Sequence, residues 1–518
     1  MSGLLHAPDL FPGRSFDTVV VGGGSAGAVI SARMTESDDN EVLLLEAGPD
    51  YPELDQLPRD LTDGRWNSMR RHDWGYRHRP TTRQIRFPLP RGKVVGGSSA
   101  VNTCIALRGQ PEDFDEWASL GLDEWSWQHC LPAFKRLESD QDFRDEWHGN
   151  QGPLPIRRHP PDELSTWQGA FLEACAELGY PRCEDSNRPG TWGAGPHAMN
   201  RVDGRRISAA EAWLTPEVRA RENLLVVGGT EVLRVLWSNR QVAGLEVFHG
   251  GRLQQIQARR VILCGGAIGT PTILLRSGLG PRRQLDRLGI DTVMDLPGVG
   301  ARLLDHPGTA FFLRPRWGMS DRKAPLIQTV LRYSSETSSV GSDVQIQPGS
   351  SVPLPFLHLP LVSMMAVVGK PVGHGQIHWP SLRRGAKPVI ESAMLEDAAD
   401  RGVAVAALGR AFELAQSKAM NKVAVPLYPS RRVLRDPARL DAWIRRGCDS
   451  GYHPCGTVPM GPDTDSTAAV DGRGRVRGVA GLLVADASIM PRIPSSNTNL
   501  PTLMIGERFG AWLRDQAI

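Results

Sequence analysis

A run of glycines near the start of the chain has the spacing that wraps a phosphate. Gly22, Gly24 and Gly27 fall in the pattern G-x-G-x-x-G. An apolar, β-branched run from Phe16 to Val21 precedes them, and a stretch of helical character starting at Ser25 and Ala26 follows. Such a run reads as a buried parallel strand. In this setting Gly22 permits a tight turn, Gly24 lets a pyrophosphate approach the backbone, and Gly27 lets helix and strand pack closely. The first N–H groups and the positive dipole end of the helix then face the phosphates. A second apolar run, Glu41 to Leu45, ends in Glu46, whose carboxylate can accept hydrogen bonds from ribose hydroxyls. A glycine turn can form without a ligand. Strand, turn, helix, strand and acid in this order argue for a dinucleotide, and leave NAD and FAD both open.

Bulk properties narrow the classes. With 518 residues the chain is long enough for two or three compact units. Its apolar fraction of 40% and charged fraction of 23% are those of a globular protein. The net charge of +3 provides no field to draw nucleic acid, and basic pairs such as Arg431-Arg432 and Arg445-Arg446 read as solvated surface. Seven cysteines, at 104, 130, 175, 183, 264, 448 and 455, are scattered and include no C-x-x-C pair. Neither a disulfide framework nor a metal site is expected from them. Reduced thiols fit a cytoplasmic location. Met1 to Arg14 is broken by Pro8 and Pro12 and does not read as a signal peptide. No run approaches the ~18 apolar residues of a membrane span, though peripheral membrane association stays open.

Later segments resemble the glucose–methanol–choline (GMC) family of FAD oxidoreductases. The first runs from Arg91 through Val95, Gly96, Gly97, Ser98, Ser99 and Val101 to Asn102, and on to Trp117. It is similar to the family's first signature, a glycine turn laid along the flavin. Gly96 and Gly97 remove side chains where a flat ring must pass, and Ser98, Ser99 and Asn102 offer small polar groups. The second, Gly265 to Gly278, follows an apolar run ending at Cys264 and resembles the second signature. Gly298 to Pro307 is similar to a further family stretch, with Arg302 where an Asn is usual. The third group comprises Tyr452 to Thr457, Val484 to Ser488 and Pro494 to Asn499. The resemblance covers nearly the whole chain and is weakest from about Trp317 to Leu440.

The resemblance implies a site. His453 stands where the family places a histidine facing the flavin. Its reference pKa near ~6.5 lets it exchange a proton at neutral pH. Asn497 stands at the second catalytic position, His in some members and Asn in others. Its amide cannot act as a base but can hold a substrate oxygen beside His453. Cofactor contacts are implied at Gly22, Gly24, Ser25, Ala26, Gly27 and Glu46; at Arg91, Val95, Gly96, Gly97, Ser98 and Asn102; and at Val232, Gly266, Asp486, Ala487, Asn497 and Thr498. For Asp486 a helix N-cap with Ser488 is an equal alternative. Some choline-type members attach FAD through a histidine at the position of Val101. Noncovalent FAD is therefore expected.

The fold expected is α/β, with a Rossmann-like FAD-binding domain and a substrate domain built on an antiparallel sheet flanked by helices. The FAD domain is expected to be discontinuous, using 1–155, 195–310 and 445–518, with 156–194 and 311–444 forming the substrate domain. Most of the apolar residues of 351–368, including Phe356 and Leu357, are expected in a core rather than in a pocket. The expected reaction is oxidation of an alcohol to an aldehyde or ketone. No acid–aromatic cluster suited to choline's quaternary ammonium is apparent, so a less polar alcohol is preferred. The preferred acceptor is a quinone or carrier protein, that of a dehydrogenase. Alternatives are an oxidase using O2, a lyase or photodecarboxylase on the same fold, and a flavoprotein with no catalytic role. The oligomeric state is not legible.

Overall fold

The computed structural model describes residues 15–319, 321, 323–338, 341–353 and 358–518. Met1 to Arg14, Phe356 and Leu357 lie outside the described residues. Val19, Val20, Leu43, Leu44 and Ile262 have no exposed surface, as expected of strands covered on both faces. The strand Ser15–Val21 pairs in parallel with Val42–Leu45 on one side and with the C-terminal half of Arg252–Leu263 on the other. Leu224–Val227 and Leu482–Val484 add further parallel strands. The N-terminal half of Arg252–Leu263 is antiparallel to Gln241–His249, which pairs with Glu231–Ser238. One long strand thus joins a parallel sheet to an antiparallel meander.

The helix Ser25–Met34 makes the first crossover. It reaches the sheet only because Gly27 has no side chain: a Cβ there would stand 1.9 Å from the carbonyl oxygen of Gly22. Helix Asn499–Arg514 packs along Ser25–Met34. The two are tied by Arg33, which donates to the buried Glu507 carboxylate at 2.9 Å.

A second sheet is wholly antiparallel. Its order is Ala424–Tyr428, Pro307–Pro315, Val362–Val368, Val344–Gly349, Thr329–Tyr333 and Gly193–Pro196, and Cys448–Ser450 also pairs with Pro307–Pro315. Alternation along these strands sorts the side chains into two sets. Phe311, Leu313, Ile346, Met364 and Ala366 enter an apolar core that includes helix Ala398–Ala415. Their neighbours Ala310, Phe312, Gln345, Gln347, Met365 and Val367 line a cavity. The apolar stretch around 362–368 therefore serves both core and cavity, residue by residue. The architecture is the expected α/β one, a Rossmann-like unit beside an antiparallel sheet covered by helices. Gln376–His378 and Val389–Glu391 form a small sheet with Tyr76–Arg79 and Phe87–Leu89.

All seven cysteines are buried and unpaired. No helix among the described residues is long and apolar enough to cross a membrane. Replacing Gly27 by Ala should force the helix off the turn and lower stability by about 1–3 kcal/mol. Chemical unfolding of the two proteins side by side checks this, and equal midpoints would contradict the contact.

Candidate active site

Both sheets wall one cavity of about 570 Å³. Gly22, Gly24, Ser25 and Ala26 bring the first turn and the helix N-terminus to its surface, with Glu46 beside them. Val232, near the start of Glu231–Ser238, and Gly266, just after Arg252–Leu263, also line it. Arg91, Gly97, Ser98 and Asn102 form a further wall, and Asp486, Ala487, Asn497, Thr498 and His453 complete it. Gly27, Val95 and Gly96 do not reach the surface of the cavity. Gly27 serves the helix–strand contact, Val95 is 5% exposed behind the wall, and Gly96 donates its N–H to Gly23 O at 2.7 Å. That last bond presses the two glycine turns together. Gly97 has φ +52, and a Cβ on it would stand 2.7 Å from Gly24 Cα. Glycine at 97 satisfies both the left-handed backbone and the close approach.

The polar groups of the wall are fixed by the protein itself. Glu46 accepts from Gly23 N at 3.0 Å and from Gly48 N at 2.8 Å. Burial pushes its carboxyl up to about 7, against those two bonds and Lys93. Asp486 caps the short turn Ala487–Ile489 through Ser488 N at 2.7 Å, so the N-cap geometry is present. Its other oxygen accepts from Gly266 N at 2.8 Å and Thr270 Oγ1 at 2.6 Å. One side chain thus joins two turns that both line the cavity. Ser99 does not face the cavity; its hydroxyl bonds Gly96 O and Ala209 N. Arg206 is fully buried and donates to the carbonyls of Asp60, Leu61, Asp63, Trp66, Ala100 and Asn102. It ties the segment after the second glycine turn to the loop beside it. Arg302, which replaces the usual Asn, donates to Pro491 O.

At the other end the strands Pro307–Pro315, Val344–Gly349 and Val362–Val368 close the cavity, and His453 and Asn497 lie together on its surface. Asn497 Nδ2 is 2.9 Å from His453 Nε2, while Asn497 Oδ1 is buried with no partner. Tyr452, just before the histidine, has φ 64, an uncommon backbone state for a side chain of this size. The turn is held by His453 N donating to Asp305 Oδ1 at 2.9 Å and by Arg91 donating to Tyr452 O at 2.8 Å. The ring of His453 is held well below the ordinary histidine value, first by burial, then by the neighbouring His306 and Arg91. It is a neutral imidazole at pH 7, able to take a proton.

Sequence reasoning brought the glycine turns, Glu46, Asp486, His453 and Asn497 to one place. It missed Gln345, Gln347, Phe312 and Met365, which have no motif and acquire a common face only through strand pairing. His306 was visible only as part of the Gly298–Pro307 stretch; it contacts His453. Among the described residues no group of three or more His, Cys, Asp or Glu side chains is placed to hold a metal. The walls fit a dinucleotide bearing a flat ring: side-chain-free turns, helix N–H groups and a carboxylate at one stretch, small polar groups at another. Replacing Glu46 by Gln turns an amide NH2 towards one of two backbone N–H groups. Retention of bound dinucleotide should weaken by about tenfold or more, from the ~1–3 kcal/mol cost of an unpaired buried donor. Equilibrium dialysis checks it, and unaltered retention would remove Glu46 from the site.

Comparison with known proteins places this arrangement. Residues 16–308 and 371–506 match the two models of one family, each described as GMC oxidoreductase. The chain is 35% identical to a 5-(hydroxymethyl)furfural oxidase of Methylovorus sp. (strain MP688), over 97% of this chain and 99% of that one. It is 32% identical to an oxygen-dependent choline dehydrogenase of Rhizobium etli, over 95% of this chain and 94% of that one. Among solved structures, pyridoxine 4-oxidase from Mesorbium loti superposes with a TM-score of 0.88 at 31% identity, covering 96% of this chain and 98% of the other. The glycine cradle, the histidine–asparagine pair and these matches agree: the chain belongs to the GMC oxidoreductases, a family of FAD-binding enzymes that act on alcohols.

Proposed function

We propose that this protein oxidises an uncharged primary alcohol, with noncovalently held FAD as cofactor. The observation that carries the reading is the His453 imidazole, 2.9 Å from Asn497, on the surface of a glycine-walled cavity. Gly22, Gly24, Ser25 and Ala26 would hold the pyrophosphate, Glu46 a ribose, Val232 the adenine through its backbone, and Arg91, Gly97, Ser98, Asn102, Gly266, Asp486, Ala487 and Thr498 the remainder. Val101 lines the cavity with an aliphatic side chain that has no atom to bond covalently to the cofactor. FAD, when bound, supplies the acceptor for the hydride that leaves the alcohol carbon.

The rest is done by this chain's side chains. The hydroxyl of the alcohol gives its proton to His453 Nε2. Asn497 holds the oxygen and keeps the reacting carbon in one orientation. Loss of that proton and of a hydride from carbon leaves an aldehyde. Burial keeps the imidazole unprotonated and ready at neutral pH.

The shape and polarity of the far wall support the substrate class. Ala310, Phe312, Gln345, Gln347, Met365 and Val367 carry no charge. The carboxylates that line the cavity, Glu46, Glu231 and Asp486, belong to the first sheet and its connections. A quaternary ammonium would find neither an acid nor an aromatic cage at the second sheet. The names of two relatives denote substrates with a hydroxymethyl group on an aromatic ring. A hydroxymethyl arene fits the flat, apolar and amide-bearing wall. The relatives' names also favour dioxygen as acceptor over a quinone or carrier protein.

Two outcomes test this. Under anaerobic conditions a hydroxymethyl arene such as 5-(hydroxymethyl)furfural should bleach the bound flavin, and choline at the same concentration should not; the reverse order would contradict the substrate class. Replacing His453 by Ala should slow bleaching by about 10²–10⁴-fold with flavin content unchanged. Stopped-flow absorbance measures it, and an undiminished rate would remove His453 from the proton transfer.

A further inference from the structure

The pair His453–Asn497 leaves open which ring nitrogen of the histidine is the base. A third residue decides it. His306 lies at the start of the second sheet, just before Pro307–Pro315, and is 1% exposed. Burial pushes it down to about 4, with Lys370 acting in the same direction and Asp113 against it. At neutral pH it is an uncharged imidazole with a single N–H. Its Nε2 lies 3.0 Å from Pro494 O. A carbonyl oxygen only accepts, so the N–H of His306 is on Nε2. Its Nδ1 is then a lone pair, and that lone pair lies 2.9 Å from His453 Nδ1.

We infer that His306 is a positioning residue that holds His453 in its Nδ1–H form, so that the lone pair of Nε2 is the base presented to the alcohol. This inference rests on the proposed function for its chemical meaning, though not for its geometry. The chain of bonds runs from Pro494 O to His306, from His306 to His453, and from His453 to the Asn497 amide. Each step fixes the next. Because His453 Nε2 accepts, Asn497 must present its NH2 there; an alcohol hydroxyl that gives its hydrogen to Nε2 takes the place of that bond, and its oxygen then accepts from the Asn497 NH2. The ring planes of the two histidines cross at 74°, with the two Nδ1 atoms 2.9 Å apart.

An uncharged orienter has a consequence that a carboxylate would not. A carboxylate beside the ring would favour the imidazolium and raise the pKa of the base. A neutral imidazole orients the ring without that attraction. The charged groups near His453 are Arg91, which disfavours the imidazolium, and Asp305, which takes the backbone N–H of His453. The base therefore stays unprotonated well below its ordinary range. The proton taken by Nε2 also does not pass outward through His306, whose own N–H ends on a carbonyl.

Three measurements on the FAD-loaded full chain test the inference. The first is the ¹⁵N spectrum of histidine-labelled protein without substrate. His453 should show a protonated Nδ1 and an unprotonated Nε2; the opposite assignment would overturn the inference whatever the enzyme's activity. The second compares His306→Leu and His306→Asn. The Leu variant loses the acceptor and should mix the two ring forms. Its flavin reduction should slow by about 10²-fold while apparent substrate binding changes by less than about threefold. Asn places an amide oxygen near the lost Nδ1 and should keep the rate within about tenfold of the parent. A Leu variant that reduces its flavin at the parent rate, with His453 still protonated on Nδ1, would remove His306 from this role. If instead His453→Ala proves as fast as the parent, the proposed function fails at its base, and the ¹⁵N result still decides the ring form independently. The acid limb of the rate profile in the parent should lie below pH 6.5, the ordinary histidine value. A limb at or above it would show that His453 is not held neutral as inferred.

Discussion

Two glycine turns pressed backbone to backbone govern the rest of this structure. The N–H of Gly96 reaches Gly23 O, and Gly97 stands where a methyl group would strike Gly24 Cα. The contact joins the strand–helix turn of the first sheet to the segment 91–102. On its open side Gly22, Gly24 and Gly97 line the cavity without a side chain. Packed interiors hold few voids, so a long cavity must be built by elements that hold one another apart. Here Asp486 and Arg206 supply that bracing. Asp486 ties the Gly266 turn to the Ala487 turn, and Arg206 joins the carbonyls after the second glycine turn to those of the 60–66 loop. Neither is free to move without disturbing several backbone groups.

Charge is distributed unevenly over the cavity. Carboxylates and helix N-termini lie along the first sheet, a setting that suits phosphates and ribose hydroxyls. The second sheet contributes amides, a phenyl ring and aliphatic groups. Between them sit imidazoles kept neutral by burial, beside the guanidinium of Arg91. An enclosed neutral base next to a fixed positive charge suits removal of a proton from an alcohol. The same burial that lowers the imidazole pKa strengthens the hydrogen bonds that orient it.

Much of the first sheet was legible because its signals are local. The run Phe16 to Val21, the glycine spacing and Glu46 lie within a short stretch, and each residue type has a steric or hydrogen-bonding reason to be there. His453 and Asn497 were legible only through the resemblance, since a histidine and an asparagine 44 positions apart carry no spacing signal. The substrate wall was not legible. Met364 faces the core and Met365 the cavity, and nothing but strand register separates them. Gln345 and Gln347 meet Phe312 through pairings that span many residues of chain. His306 sat inside a recognised stretch, but its bond to His453 depends on where the second sheet begins. Asp486 was balanced between a cap and a cofactor contact; the geometry shows the cap, with the same side chain bridging to Gly266.

The central claim is that a flat redox ring lies between the Gly97 turn and the His453–Asn497 pair. A crystal structure of the protein loaded with FAD measures this most directly. The account predicts ring density in the cavity along Gly97 and Ser98, with one edge against His453 Nε2 and Asn497. Density for the ring elsewhere, or those two side chains separated from it by another part of the chain, would contradict the account.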